Sequence, residues 1–335
     1  QRHSILVLLL FFFTAQQYRA IAQDTTYVDV LDLFEAEKIH WVGQIPPLKE
    51  DAKKNRKGWF KRLLLGEKDI PGIQKPVQAI QLDEKETIII DQGSATIFFA
   101  EDDKLDIPRS IRKLNGKYSS MVSGCLLPNG DLLFTDSRRN EISRLTADRK
   151  RVELFNRSEL IQPTGIAYNP VTNQLWVVET GSHRVSILDT NGNRIKAFGE
   201  RGVGEGEFNY PTSICIDQYG KVYVVDALNY RIQIFDEQGE FISMFGENGN
   251  GTGFLASPKG VAVDSYGHIY VVDALFHGVQ LFNYQGDYLY QFGSQGRETG
   301  QFWMPSGIYI DTNDRIYVAD SYNARIQLFQ LELDE

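Results

Sequence analysis

The stretch from Asn209 to Phe329 states one pattern three times at a fixed interval. It runs YPTSICIDQYGKVYVVDALNYRIQIF, then SPKGVAVDSYGHIYVVDALFHGVQLF, then MPSGIYIDTNDRIYVADSYNARIQLF. Pro211, Pro258 and Pro305 are 47 residues apart, as are Asp226, Asp273 and Asp320, and Gly199, Gly246 and Gly293. A fixed period of this length is the signature of repeat architecture and overrides the local reading of any one segment. Within a unit, IYVVD and VQLF have the period of two and the β-branched and aromatic content of strands. Tyr219-Gly220, Gln238-Gly239, Tyr266-Gly267 and Gln285-Gly286 fall where hairpin turns need positive φ. Each unit therefore predicts four short antiparallel strands. Such a sheet cannot bury both faces alone and needs a neighbour on each side, which is the situation of a propeller blade.

The pattern extends backwards in weaker form. Asp91, Asp136, Glu179, Asp226, Asp273 and Asp320 form a series of six strand-end acids. Six blades are expected, starting near Pro76, Met121, Pro163, Pro211, Pro258 and Pro305. The last unit lacks room for a fourth strand. KIHWVGQ, aligned by setting Gly43 against Gly199, Gly246 and Gly293, is expected to supply it, with residues 38–45 closing the ring onto 76–335. Closure removes the unpaired sheet edge that a linear array would leave.

The unit resembles the NHL-repeat family of β-propellers. The residues that carry the likeness are Pro305-Ser-Gly307, Ile316-Tyr-Val-Ala-Asp320, Asn323-Ala-Arg325-Ile326 and Tyr290-Gln-Phe292-Gly293. The likeness is specific over 163–330 and degenerate over 76–162. It implies an all-β, six-bladed propeller, and it leaves function open, because the family includes scaffolds, RNA binders and a metal-dependent lyase. Exported bacterial members with a basic, Trp-containing insert after a short N-terminal strand look similar. That resemblance implies an exported partner, either a multihaem cytochrome or an envelope component. The chain itself has no CxxCH with which to attach haem.

Arg2 and His3 precede the apolar run Ile5–Phe13, and Ala20-Ile21-Ala22 supplies small residues for a signal peptidase. Residues 1–22 read as a signal peptide, and the protein as exported, periplasmic or secreted. A membrane anchor would need about 20 apolar residues, and Gln16, Gln17 and Arg19 interrupt the run. No transmembrane segment is expected after cleavage. Residues 23–37 read as a mobile leader. Cys125 and Cys215 take equivalent positions in blades two apart, too far to bridge, and are expected to be free and buried.

Residues 46–75 carry a local balance of +5 in a chain whose net charge is −9, or −11 once Arg2 and Arg19 leave with the signal peptide. Lys53, Lys54, Arg56, Lys57, Trp59, Lys61 and Arg62 could contact a membrane surface or an acidic partner. The alternative is a loop packed on the propeller rim with solvated lysines.

A ring of six carboxylates invites a metal site. In three blades, however, an Arg lies five residues on, giving the expected structural pairs Glu179–Arg184, Asp226–Arg231 and Asp320–Arg325. Thr96, Glu141 and Gly278 replace it elsewhere, which makes Asp91, Asp136 and Asp273 the acids most open to a ligand. The resemblance also offers a zinc-dependent lyase or a calcium-dependent lactonase or esterase with a site in the propeller channel. Neither His183 and His277, in one loop position two blades apart, nor His40 and His268 are expected to converge on a metal. No catalytic residues, metal or cofactor are therefore assigned. Nucleic-acid binding wants a basic face, and the blades are acidic. The expected function is protein binding or scaffolding through the face that carries Arg138, Arg139, His183, Asn229, Tyr230, Phe276, His277, Tyr322 and Asn323, with the Gly-rich connections opening beside them.

Overall fold

A computed structural model of the chain describes residues 39–46, 72–102, 104–114, 116–156 and 158–331. The expected signal peptide, the leader and most of the basic insert lie outside them. The described strands form six antiparallel sheets of four strands each. Five are built from consecutive strands. The sixth takes its outermost strand from the other end of the chain, where Ile39–Ile45 pairs antiparallel with Arg325–Leu331. The inner strands are Pro76–Gln81, Met121–Leu126, Pro163–Asn169, Pro211–Ile216, Pro258–Val263 and Ile308–Ile310. The sixth starts three residues later than Pro305, although Ser306 N–H still donates to Ala319 O and Ala319 N–H to Gly307 O.

The register explains the periodic acids. Pro76, Met121, Pro163, Pro211 and Pro258 sit directly opposite Asp91, Asp136, Glu179, Asp226 and Asp273. Immediately afterwards each of these inner strands carries one extra residue, a β-bulge that turns the next side chains toward the axis. The second strands are buried, Val222–Asp226 and Ile269–Asp273 along their whole length and Glu86–Asp91, Gln174–Glu179 and Arg315–Asp320 after a half-buried first residue, because blades pack on both their faces. They read as continuous apolar runs for that reason.

The repeated Phe-Gly is a packing device. Gly199, Gly246 and Gly293 have φ of 94°, 103° and 93°, and a Cβ there would lie 2.6 Å from Phe208, 2.8 Å from Leu255 and 2.5 Å from Phe302. Those three side chains, each fully buried, fold back from the connection between blades. Glycine is required twice over, by backbone conformation and by the ring or methyl group seated on it.

Alignment through Gly43 is corrected by the register. Ile45 opposes Ile326, the place that Phe198, Phe245 and Phe292 hold opposite Val185, Ile232 and Val279. The residue equivalent to Gly199 is thus Pro46, three positions on from Gly43, which lies beside a bulge with open space around it. Burial set the register: Ile45 packs into the core cluster of blades six and one, and a slip of three would turn it outward.

The loop face and the axial cavity as candidate sites

Each strand-end acid is fully buried or nearly so, so its charge has to be neutralised locally. The chain does this in two ways. Asp226 and Asp320 accept from Arg231 Nε and Arg325 Nε at 2.8 Å, and Glu179 accepts both arms of Arg184 at 3.0 Å. These guanidinium groups also reach the connection from the previous blade: Arg231 donates to Val203 O, Gly204 O and Glu207 O, and Arg325 to Glu298 O and Gln301 O. Burial pushes the Glu179 carboxyl up, but hydrogen bonds from Arg184, Ser186 and the Ile161 N–H outweigh it and hold it below the usual glutamate range.

The three acids without an arginine are committed in another way, which corrects the expectation that they are open to a ligand. Asp91 accepts N–H bonds from Gln74, Lys75 and Ser94 and the Ser94 hydroxyl. Asp136 accepts from Ser120, Arg138 and Arg139 N–H, and Asp273 from Ala256, Ser257, Leu275 and Phe276 N–H. Backbone amides fill both oxygens where the guanidinium is missing.

The turns between second and third strands and the long connections between blades share one face. Asn229 Nδ2 bridges Asp226 and Gly202 O, and Asn323 Nδ2 bridges Asp320 and Gly296 O. His183 Nδ1 accepts from Tyr210 N–H and His277 Nδ1 from Met304 N–H, both at 3.1 Å. Four of the side chains expected to bind thus tie their turns to a connection between blades, the two asparagines to the preceding one and the two histidines to the following one. His183, Tyr230 and His277 have φ between 52° and 55°, and Tyr230 and Phe276 are half-buried. Arg138 and Arg139 are exposed, the latter paired with Glu141 at 2.7 Å.

Exposed apolar groups stand on this scaffold. The residue two past the acid is Leu228, Leu275 and Tyr322 in blades four, five and six, exposed by 50%, 57% and 60%. Val203, Phe254 and Trp303 on the neighbouring connections are exposed as well. Lys75 Nζ lies 5.6 Å from the Tyr322 ring and Arg297 4.9 Å from the Trp303 ring. In blades one, two and three the equivalent residues are Gly93, Arg138 and Gly181, so the large apolar side chains at this position are confined to three consecutive blades. Leu228 and Leu275 do not stand out in the sequence, where aromatic and basic residues are the usual marks of an interface. Their signal was available: a leucine at a turn position that does not face the core.

Cys125 and Cys215 are free, as expected, but half-buried rather than buried. Both line the axial cavity, where the inner strands have no further strand to cover them. Burial pushes the Cys125 thiol up to about 12, and burial together with Asp217 pushes Cys215 well above the usual thiol range.

The histidines do not fit a zinc site. His183 and His277 spend Nδ1 on backbone amides in separate blades, and His268 is buried with Nδ1 2.7 Å from Asp264. Among the described residues no group of three or more His, Cys, Asp or Glu is placed to hold a metal ion. Nor is any described helix long and apolar enough to cross a membrane.

The NHL repeat family matches residues 160–188 and 302–329, and a family described as a 6-bladed beta-propeller matches 218–276. The chain is a six-bladed β-propeller with NHL repeats. Human E3 ubiquitin-protein ligase NHLRC1 is 39% identical over 57 residues, which is 17% of this chain and 14% of that protein, so the propeller's match spans about a seventh of that relative's length. An auxiliary nutrient binding protein from Bacteroides thetaiotaomicron superposes with a TM-score of 0.62 at 14% identity, covering 79% of this chain and 71% of the other. Virginiamycin B lyase from Staphylococcus aureus superposes at 0.56 with 15% identity, covering 77% and 96%. At these identities the likeness is one of fold.

Proposed function

We propose that the protein is an exported, non-catalytic propeller that binds another protein through its loop face. The observation that carries this is the arc Leu228, Leu275 and Tyr322, one repeat position exposed in three consecutive blades on turns locked by hydrogen bonds. NHL propellers mediate protein interactions. Exposed apolar side chains gathered on a rigid platform are what an interface core requires, since little ordering is left to oppose binding. Export rests on the apolar run Ile5–Phe13 and its small-residue boundary, and the partner is accordingly an exported protein, a multihaem cytochrome or another envelope component. The basic residues from Lys53 to Arg62 supply a second contact, to that partner or to a membrane surface.

Substituting Leu228, Leu275 and Tyr322 together by Ser tests the reading. Capture of the partner from native extract should fall at least tenfold while the melting temperature stays within a few degrees. Undiminished capture would refute the face assignment. A lyase or lactonase rests on fold similarity alone. Elemental analysis of the purified protein should find no stoichiometric zinc or calcium, and either metal at one per chain would turn the assignment to an enzyme.

A further inference from the structure

Three of the long connections on the loop face, 199–208, 246–255 and 293–302, are copies of one loop. Each is closed by a parallel bridge, Arg201 to Phe208, Asn248 to Leu255 and Gln295 to Phe302. Side chains hold the first and the third in the same three ways. Arg231 donates to Gly204 O and Glu207 O, and Arg325 to Glu298 O and Gln301 O. Asn229 donates to Gly202 O and Asn323 to Gly296 O. Glu207 and Gln301 reach back within the loop and accept from Gly204 N–H at 2.8 Å and Glu298 N–H at 3.1 Å. The middle connection has none of these residues. Gly278 stands in the place of the arginine, Phe276 in that of the asparagine and Phe254 in that of the acceptor side chain. The buried glutamine of the third strand remains, with Gln280 bonded to Gly253 N–H and Phe254 O.

The loop that lost these ties reads Glu247-Asn248-Gly249-Asn250-Gly251. Asn-Gly pairs are chemically labile, because glycine has no Cβ to keep its amide nitrogen away from the side-chain carbonyl carbon before it. The chain has five such pairs, and Asn115 of one lies outside the described residues. In three others the glycine N–H is engaged: Gly130 donates to Leu127 O at 2.9 Å, Gly192 to Asp189 O at 3.0 Å and Gly249 to Leu255 O at 3.4 Å. Gly251 differs. Its counterparts Gly204 and Glu298 are capped by Glu207 and Gln301, but Phe254 offers no acceptor, and Gly251 N–H has no hydrogen-bond partner among the described residues. Asn250 is exposed, and its side-chain amide is equally without a partner among the described residues.

We propose that Asn250 is a site of spontaneous deamidation on the loop face. The Gly251 nitrogen bonds to Asn250 Cγ, the Cγ–Nδ2 bond breaks, and the Gly251 amide proton leaves with ammonia through solvent. Water then opens the cyclic imide. Opening at Cγ gives aspartate, and opening at the main-chain carbonyl gives isoaspartate. Either product adds a negative charge to the loop that carries Phe254. The modification does not rest on the protein-binding reading, and its test uses no partner.

Purified protein is incubated in mildly alkaline buffer and sampled over time, and the acid form at each Asn-Gly pair is quantified by peptide mapping with fragmentation mass spectrometry. An engaged glycine amide must first give up a hydrogen bond worth ~1 kcal/mol, a factor of roughly five. Asn250 should therefore convert at least fivefold faster than Asn129, Asn191 and Asn248, with isoaspartate among its products. In urea, where no fold protects any pair, the four rates should agree within about threefold. Phe254→Gln restores the acceptor of the third connection and should slow Asn250 at least threefold, with a melting temperature within a few degrees of the unsubstituted protein. The proposal is overturned if Asn250 converts no faster than the other three, if its lead persists in urea, or if aspartate forms without isoaspartate. A folded Phe254→Gln variant that converts at the unsubstituted rate would overturn it equally.

Discussion

At the scale of single residues, a buried acid at one fixed place is the recurring problem, and arginine or backbone amides are its two solutions. Glu179 makes the consequence measurable. Its folded pKa lies below the ordinary value, so its contribution is complete above the unfolded pKa of about 4.3 and is lost as pH falls through the folded value. Glu179→Gln should therefore lower the urea midpoint at pH 7, and the gap to the unsubstituted protein should shrink as the pH is taken from 5 toward 2. A gap independent of pH would contradict the charge-based account. The glycines give a second contrast. Gly206 has φ of 71° with open space where a Cβ would stand, whereas a Cβ on Gly246 would lie 2.9 Å from Tyr230 O and 2.8 Å from Leu255. Gly206→Ala should cost about 1–2 kcal/mol of backbone strain, and Gly246→Ala about 1–3 kcal/mol more from overpacking. Equal melting temperatures for the two variants would refute the packing role of the Phe-Gly motif.

At the scale of elements, the strand Ile39–Ile45 completes a sheet that would otherwise end on Arg325–Leu331. The acid–arginine pair of blade six also reaches this strand, because Arg325 Nη1 donates to Gln44 Oε1 at 3.0 Å. Arg325→Ala should cost about 3–5 kcal/mol, since it strands the buried Asp320 charge. Removal of the chain through Ile45 should lower the melting temperature by more than that substitution does. A truncated protein that melts with the full chain would show that the closing strand is dispensable. That a strand near 38–45 closes the ring was legible from the missing fourth strand of the last unit. Its register was not, because Gly43 offered a residue-type match while pairing followed the burial of Ile45. The commitment of Asp91, Asp136 and Asp273 was equally hidden, since their partners are backbone amides, which a sequence does not display.

At the scale of the whole molecule, six copies of one unit project equivalent turns onto one face, and differences among the copies decide what that face can bind. Periodicity made the blade count and the face readable. The exposed leucines and the half-exposed thiols were not, because exposure depends on which edge of the ring a strand end reaches. The mature chain, if exported as proposed, should begin at Gln23, and mass spectrometry of the purified protein reads this directly. The central claim, recognition through the loop face, is tested by a photo-crosslinking residue placed either at Leu275, on that face, or at Tyr219, exposed on the turn at the opposite end of blade four. The account predicts a discrete crosslinked partner from position 275 and none from position 219. Crosslinks from 219 alone, or equal yields from both, would contradict it.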